Sequence, residues 1–187
     1  PSGERAETSD GKRHRPNLRL QATLARRRSD RRAQGRPAEV QRSAIEGSLN
    51  FGVFHPDDVG RFADLGVTAS VQFSHAPSDR DLADERWAGR LDGAYAYRTL
   101  HEHGARLANG SDAPIEEIDP LAGLRAAVTR TLDERPGWRE QEALAMWEAV
   151  EASTVAPAWL AGDDRRRGKL IPGQLADLVV LNRDPFT

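Results

Sequence analysis

The sequence predicts an α/β fold with parallel strands, because strand and helix patterns alternate from residue 51 onward. Residues 67–73 place apolar side chains at every second position, which predicts a strand with one buried face. Residues 106–109 form a second short apolar stretch, directly before a Gly-Ser-Asp turn. Asp119-Pro120 then pairs a helix N-cap with a first-turn proline, and apolar residues follow at helical spacing. Parallel strands joined by crossover helices are therefore expected.

Local signals predict the other helices. Pro56 is followed by two acidic residues, which favour the first turn of a helix, and Gly66 is expected to end that helical segment. Residues 74–91 are polar and rich in Asp and Arg, and a long loop is expected there. Further helices are predicted over residues 95–103, 140–152 and 159–160.

The chain divides by composition into three parts. Residues 1–50 carry 12 basic and 6 acidic residues, whereas the remainder carries 15 and 23. Large apolar residues are sparse in 1–50, so this basic segment is expected to have little order. Residues 51–165 contain the alternating pattern. In residues 166–187 a Pro-Gly turn and the continuous apolar run 177–181 predict a β-hairpin with a buried strand.

Composition also limits the functional classes. The sequence has no cysteine, so disulfides and thiolate metal sites are excluded, and any metal needs His, Asp or Glu ligands. It has no run of about 18 apolar residues that could span a membrane. The amino-terminal residues lack the apolar core of a signal peptide. A cytoplasmic protein without membrane partners is expected.

Asp112 is the strongest single candidate for chemistry. It follows the predicted strand 106–109 within the turn Gly-Ser-Asp-Ala-Pro. A carboxylate at the carboxyl end of a parallel strand is well placed to hold a metal ion or to accept a proton. The alternative is that Asp112 only forms the turn, since aspartate is common at such positions.

Several motifs together resemble a known family. They are HPDD (55–58), FADLGV (62–67) and ASVQ (69–72), GSDAP (110–114) with DPL (119–121), and GKLIPGQLADLVVL (168–181) with DPF (184–186). The combination resembles the carboxyl-terminal portion of the amidohydrolase superfamily. The most similar branch is amidohydrolase family 3, which includes YtcJ-like and N-substituted formamide deformylase-like enzymes.

The resemblance implies a (β/α)8 TIM-like barrel beside a small composite β-sandwich domain. A complete barrel needs roughly 250 residues, so this chain of 187 residues is expected to hold only part of one. Residues 67–73 would be barrel strand seven and residues 106–111 strand eight. The hairpin predicted within 166–187 would belong to the sandwich.

The resemblance also implies hydrolysis of non-peptide, amide-type C–N bonds by water that a divalent metal ion, typically zinc, activates. Asp112 occupies the strand-eight position, where the family carboxylate binds metal and accepts a proton. The sixth-strand motif, typically Ile-Glu-His, is expected just before residue 55, but residues 49–54 contain no histidine. Because catalytic zinc needs about three protein ligands, the chain alone is expected to be inactive or nearly so.

Two hypotheses account for residues 1–50. An excess of Arg, Ala, Gly, Pro and Ser is what a GC-rich gene yields in a shifted reading frame, so the segment could be foreign to the family. Alternatively it is a fused basic tail. Without aromatic residues before Phe51 to stack on bases, no specific nucleic-acid role is expected for it.

His75 and Trp87 are candidate substrate-binding residues, because both follow strand 67–73 on the side of a barrel where substrates bind. The alternatives are a loop histidine and a core or loop anchor. His101 and His103 resemble a metal-binding pair, but residues two apart on a helix point in nearly opposite directions, so a solvated helix end is favoured.

The sequence is therefore compatible with two classes of function. The first is part of a metal-dependent amidohydrolase that acts on a small amide-type molecule, with a homo-oligomer left open. The second is a non-catalytic binding or assembly module with a basic amino-terminal tail. Bound metal would favour the first, and salt-sensitive binding through residues 1–50 would favour the second.

Overall fold

Three short parallel strands form the sheet of this protein. The structure, a computed structural model, describes residues 43–46 and 54–186. The strands are β1 (Ser43–Glu46), β2 (Val67–Val71) and β3 (Arg106–Asn109), and they lie in that order in space. Both pairs are parallel, with Ser43 opposite Val67 and Val71 opposite Asn109. The predicted class, α/β with parallel strands, is confirmed for the described residues.

Helices fill the connections and pack against the sheet. In chain order they are α1 (Pro56–Val59), α2 (Arg61–Asp64), α3 (His75–Ser78), α4 (Arg80–Trp87), α5 (Tyr97–Glu102), α6 (Pro120–Thr129), α7 (Met146–Ser153) and α8 (Val155–Leu160). Single 3-10 turns occupy Leu91–Gly93 and Glu140–Glu142.

The predicted helix starts are confirmed by their caps. The His55 side chain accepts a hydrogen bond from the Asp57 amide at the start of α1. Asp119 Oδ1 accepts one from the Leu121 amide at 2.9 Å, which satisfies a free amide of α6. These two helix starts could be predicted from the sequence because a cap is a local interaction.

The core lies between β2 and the surrounding helices. Ala69 and Phe73 have no exposed surface, and Val67 and Val71 on the same side of the alternation are also buried. Leu100 of α5 and Phe62 of α2 complete the same apolar cluster. Alternation along residues 67–73 therefore identified one buried face, but the strand ends at Val71 and Thr68 on its other face is buried as well.

Residues 74–91 differ from the predicted polar loop, because they contain α3 and α4. Long-range polar contacts connect α4, in which only Ala83 is buried, to residues 135–138. Trp138 donates its indole N–H to Asp84 at 3.0 Å, and Arg135 pairs with Asp81 at 2.8 Å. Such partners lie about 54 residues away, so no local pattern could reveal them. Similarly, the predicted helix 140–152 is a 3-10 turn followed by α7.

The predicted carboxyl-terminal hairpin is wrong. Residues 169–186 contain no helix or strand, and Val180 is 86% exposed rather than buried. A strand needs a neighbouring strand to receive its backbone hydrogen bonds. No such neighbour lies beside residues 177–181 within the described part of the chain. The apolar run alone therefore does not form the strand that its composition favours.

The amino-terminal segment contains one element that composition did not predict. Ser43–Glu46 forms β1 beside β2, whereas little order was expected throughout residues 1–50. The expectation for residues 1–42 and 47–50 lies outside the described residues. β1 pairs with β2 through backbone hydrogen bonds. Such pairing needs no apolar pattern in residues 1–50, so the composition of that segment did not predict it.

Across the described ranges, no helix is both long enough and apolar enough to cross a lipid bilayer.

A buried ion pair connects α5 to α7. Glu148 receives two hydrogen bonds of 2.7 Å from Arg98 and one of 2.7 Å from the Ala145 amide, where it caps α7. His101 Nδ1 lies 3.4 Å from the same carboxylate. Burial by itself raises the pKa of Glu148, but these hydrogen bonds and positive charges outweigh it and hold the pKa below its ordinary value.

Truncation of Phe62 should test the core. Phe62 is 1% exposed and meets the Phe54 ring edge-to-face at 5.2 Å. Phe62→Ala removes this packing and is expected to lower the free energy of unfolding by about 3–5 kcal/mol. The matched variant Leu65→Ala, at a side chain 46% exposed, should change it by no more than about 0.5 kcal/mol. Urea denaturation measures both, and equal effects would contradict the placement of the core.

The ion pair predicts a pH-dependent contribution to stability. Because the folded pKa of Glu148 is lowered, its stabilisation is complete above the unfolded pKa of about 4.3 and is lost as pH falls through the folded pKa. Glu148→Gln should therefore lose about 1–3 kcal/mol near pH 7, and the difference from wild type should shrink below about pH 4. Glu151→Gln, on the exposed side of α7, is the control. A difference that stays constant with pH would exclude this ion pair as its cause.

Candidate active site at the carboxyl edge of the sheet

Two of the three predicted site residues meet at the carboxyl edge of the sheet. His75 follows the end of β2, and Asp112 follows the end of β3. Their side chains approach to 3.6 Å, measured from His75 Nε2 to Asp112 Oδ2. Because parallel neighbours end at the same edge, residues 37 positions apart in the chain converge there.

The backbone at Asp112 has an uncommon conformation. Its φ is +57°, in the left-handed region that aspartate tolerates better than most side chains do. Two hydrogen bonds support the turn: the Ala113 amide donates to Ser111 Oγ at 3.3 Å, and the Ile115 amide donates to the Asp112 carbonyl at 2.9 Å. The turn interpretation of Asp112 is thus correct for its backbone, while its side chain, 40% exposed, remains available for chemistry.

His75 is the more buried partner. Its side chain is only 6% exposed, and neither ring nitrogen has a hydrogen-bond partner among the described residues. Its backbone amide donates to the Gln72 carbonyl at 3.2 Å, which places the residue at the start of α3. A buried imidazole without hydrogen bonds is costly, and a ligand or ion is one way to satisfy it.

The pair fits part of a divalent metal site. Imidazole nitrogen and carboxylate oxygen each lie about 2.0–2.2 Å from zinc in proteins, so two such ligands of one ion are separated by about 3.3–3.6 Å near tetrahedral geometry. The observed 3.6 Å separation meets this condition. Within the described residues, however, no group of three or more His, Asp or Glu side chains could hold a metal. The pair by itself falls short of the three or so protein ligands that a catalytic zinc needs.

Asn109 connects the two strand ends beneath this pair. Its Oδ1 accepts a hydrogen bond from the Phe73 amide at 3.1 Å, and its Nδ2 donates to Ser153 Oγ of α7 at 3.2 Å. The Gly110 amide also donates to the Val71 carbonyl at 3.0 Å. Sequence reasoning did not select Asn109, since its partners lie 36 and 44 residues away.

A cavity of about 210 Å³ lies beside Asn109, between the sheet edge and the start of α6. Its lining is mixed, and the polar residues in it are Ser74, Asn109, Ser111, Glu117, Asp119 and Ser153. Neither His75 nor Asp112 lines it. The convergence of those two side chains, rather than the larger cavity, therefore locates the candidate site.

Two tyrosines support the other side of His75. Together with His75 and Gln72 they line a crevice of about 10 Å³. Tyr97 donates its hydroxyl to the Gln72 carbonyl at 2.8 Å, and Tyr95 donates to Asp79. Burial raises the pKa of both tyrosines, so both hydroxyls stay protonated and act as hydrogen-bond donors at neutral pH.

Arg130 lies behind the tyrosines. It is fully buried, its guanidinium carbon lies 5.0 Å from the centre of the Tyr97 ring, and its Nε donates to the Trp138 carbonyl at 3.1 Å. Burial lowers the pKa of Arg130, and the neighbouring Tyr97 and Glu142 oppose that change. A cation packed on an aromatic ring stabilises the position of that ring, and hence of Tyr97.

Other candidates lie away from the pair. Trp87 ends α4 and packs against the hydrophobic core, and it lines neither cavity described above, so its substrate role stays a prediction. His101 contacts Glu148, whereas His103 Nδ1 lies 2.7 Å from the Thr99 carbonyl. The two histidines thus have different partners, as expected for residues two apart on a helix.

Comparison with known proteins identifies the class to which this sheet and site belong. The sequence model of the amidohydrolase family matches residues 17–187. The chain belongs to the amidohydrolase family. Since the match begins at residue 17, residues 17–50 fall within the family region, which does not support a foreign origin for that part of the basic segment.

Curated relatives agree with this assignment. The chain is 35% identical over 132 residues to YtcJ of Bacillus subtilis (strain 168), whose name describes it as an amidohydrolase, covering 68% of this chain and 25% of that protein. It is 34% identical over 134 residues to the protein LONG AFTER FAR-RED 3 of Arabidopsis thaliana, covering 70% and 23%. It is 30% identical over 91 residues to N-substituted formamide deformylase of Arthrobacter pascens, covering 49% and 17%. The chain thus spans about a quarter or less of these relatives.

Solved structures support the same class. The chain is similar to an uncharacterized metal-dependent hydrolase from Pyrococcus horikoshii OT3, with a TM-score of 0.64 and 28% identity, covering 72% of this chain and 28% of that chain. A second uncharacterized metal-dependent hydrolase, from Pyrococcus furiosus, gives a TM-score of 0.61 and 28% identity, covering 73% and 28%. The mixed α/β fold with its small parallel sheet thus resembles part of the fold of these two proteins.

Proposed function

We propose that this chain supplies one sector of a metal-dependent hydrolase site that acts on amide-type C–N bonds of small molecules. The observation that carries the proposal is the 3.6 Å approach of His75 and Asp112 at the carboxyl edge of the sheet. Family membership supports hydrolase chemistry of this kind. The name of the Arthrobacter pascens relative suggests N-substituted formamides as a first substrate class to test.

His75 and Asp112 have different roles in this proposal. Both would hold a divalent ion, probed here as zinc, which when bound polarises a carbonyl and lowers the pKa of a water molecule toward neutrality. Asp112 is the more exposed of the two, and its carboxylate is placed to accept the proton that the attacking water loses. His75, held by its backbone bond to Gln72, would contribute an imidazole nitrogen from a buried position.

The fold supports a finer assignment within the family. We interpret β2 and β3 as strands seven and eight of a partial TIM-like barrel, and β1 as strand six. Ile45 and Glu46 end β1 and match the first two residues of the expected Ile-Glu-His motif, which therefore lies earlier than residues 49–54. Gly47 stands in the sequence where the motif has histidine. This substitution removes one candidate metal ligand.

A cytoplasmic location and a homo-oligomeric state are proposals that rest on composition and on the family. Both experiments use the full chain with its basic segment, residues 1–50. A binding role of that segment would appear as salt-sensitive association.

Zinc binding tests the site directly. The purified 187-residue chain, labelled with ¹⁵N, is titrated with zinc, and amide signals of residues 72–76 and 109–113 are expected to shift together. His75→Ala and Asp112→Asn each remove one ligand and should weaken binding at least about tenfold. His103→Ala and Asp133→Asn are the matched controls, since these side chains lie in exposed positions away from the pair. Wild-type spectra that zinc leaves unchanged would refute the proposed metal site.

Hydrolysis tests the completeness of the site. With two of about three required ligands identified, the zinc-loaded chain is expected to hydrolyse an N-substituted formamide no faster than its Asp112→Asn variant does. Release of the amine product measures the rate. Turnover that is abolished both by a chelator and by Asp112→Asn would show that a further ligand completes the site, and it would overturn the expectation of inactivity.

A further inference from the structure

The side chain of Asn109, at the end of β3, is hydrogen-bonded both to the chain just beyond β2 and to α7. Its two amide atoms point to different elements: Oδ1 toward the Phe73 amide beyond β2, and Nδ2 toward Ser153 of α7. Ser153 Oγ in turn donates to the Ala149 carbonyl at 2.8 Å. Asn109 itself ends β3.

We infer that Asn109 is a positioning residue, which holds the His75 and Asp112 side chains at a separation that one metal ion can bridge. This inference rests on the proposed function. Asn109 does not belong to the pair and contacts neither of its members in any described hydrogen bond. It acts on both through the short backbone segments that lead to them.

The path from Asn109 to His75 is two residues long. Residues 72–74 leave β2 without strand pairing, so the Phe73 amide has no partner from the sheet. Asn109 Oδ1 supplies that partner at 3.1 Å. Phe73 is fully buried against Tyr97, with ring centres 5.4 Å apart, so a displacement of its backbone would carry His75 with it.

The path from Asn109 to Asp112 is three residues long. It passes through Gly110, whose amide is bonded to the Val71 carbonyl, and through Ser111 before the left-handed residue Asp112. A residue at φ +57° persists only where its surroundings hold it. Asn109 and the Gly110 bond together fix the start of this turn relative to β2.

The choice of asparagine is specific in chemical terms. A single side chain must present one acceptor to a backbone amide and one donor to a hydroxyl, and the carboxamide does both. Leucine at this position would keep a similar volume but would leave the buried Phe73 amide unpaired. Replacement of a residue that orients a metal ligand commonly lowers metal affinity by about 10–100-fold. Loss of the Asn109 contact should therefore weaken metal binding by a measurable factor.

The experiment compares zinc affinity and amide exchange in the full 187-residue chain. Asn109→Leu is expected to bind zinc about tenfold or more weakly than wild type, and the Phe73 amide is expected to lose its protection against hydrogen exchange. Val128→Ala is the control, because it removes core packing at the far end of α6 and leaves the strand ends untouched. Its zinc affinity should equal that of wild type even though its stability falls.

Ser153→Ala separates the two bonds of Asn109. It removes the hydroxyl that Nδ2 reaches and leaves the Oδ1 bond to Phe73 in place, so an intermediate loss of affinity with a protected Phe73 amide is expected. Asn109→Leu with unchanged zinc affinity, beside a His75→Ala variant that no longer binds, would overturn the positioning role alone. An equal loss in Val128→Ala would also overturn it, by showing a general effect of stability. A wild-type chain that binds no zinc would refute the proposed function and the positioning role with it.

Discussion

The parallel pairing of β2 with β3 is the constraint on which the candidate site depends. The register sets Val71 opposite Asn109, so the two strands end at the same level. His75 then lies four residues beyond one strand end and Asp112 three beyond the other. A slip of the register would turn each strand's side chains to the opposite face and would separate the pair. Burial of the paired residues Ala69 and Leu107 on one face of the sheet resists such a slip.

Polar contacts extend this constraint beyond the last strand residues. Asn109 holds the chain after β2, and Tyr97 donates to the Gln72 carbonyl that also receives the His75 amide. Behind Tyr97 lies the buried Arg130, whose charge costs free energy in an apolar environment. The aromatic ring and the Trp138 carbonyl offset part of that cost, while its two terminal nitrogens have no hydrogen-bond partner among the described residues. The region around His75 is thus ordered by hydrogen bonds between elements that are distant in the chain. This explains how a short sheet can hold two side chains in one place.

Features that depend on neighbours in sequence were predictable, and features that depend on distant partners were not. The Asp119 cap and the alternation along 67–73 follow from local rules. The approach of His75 to Asp112 depends instead on the pairing of β2 with β3 and was not predicted. Helix α4 does not follow from local rules either, because Asp84 and Asp81 have their partners in residues 135–138. The strand predicted for residues 177–181 is wrong because a strand forms only beside another strand. The composition of this run favours a strand, but composition does not supply the neighbour. Asn109 was missed because a lone asparagine carries no pattern.

The strand order bears on how complete the proposed metal site is. Ligands that share one ion at the carboxyl edge of a parallel sheet come from the ends of several strands. The described sheet offers the ends of β1, β2 and β3. The last two provide His75 and Asp112. After Glu46 the sequence contains no histidine, aspartate or glutamate until His55, which caps α1. The residues that follow β1 therefore offer neither an imidazole nor a carboxylate to an ion held by the pair. Zinc held by His75 and Asp112 alone would be bound more weakly than at a three-ligand site, and tight binding would have to draw on Glu46 or on a ligand outside residues 47–54.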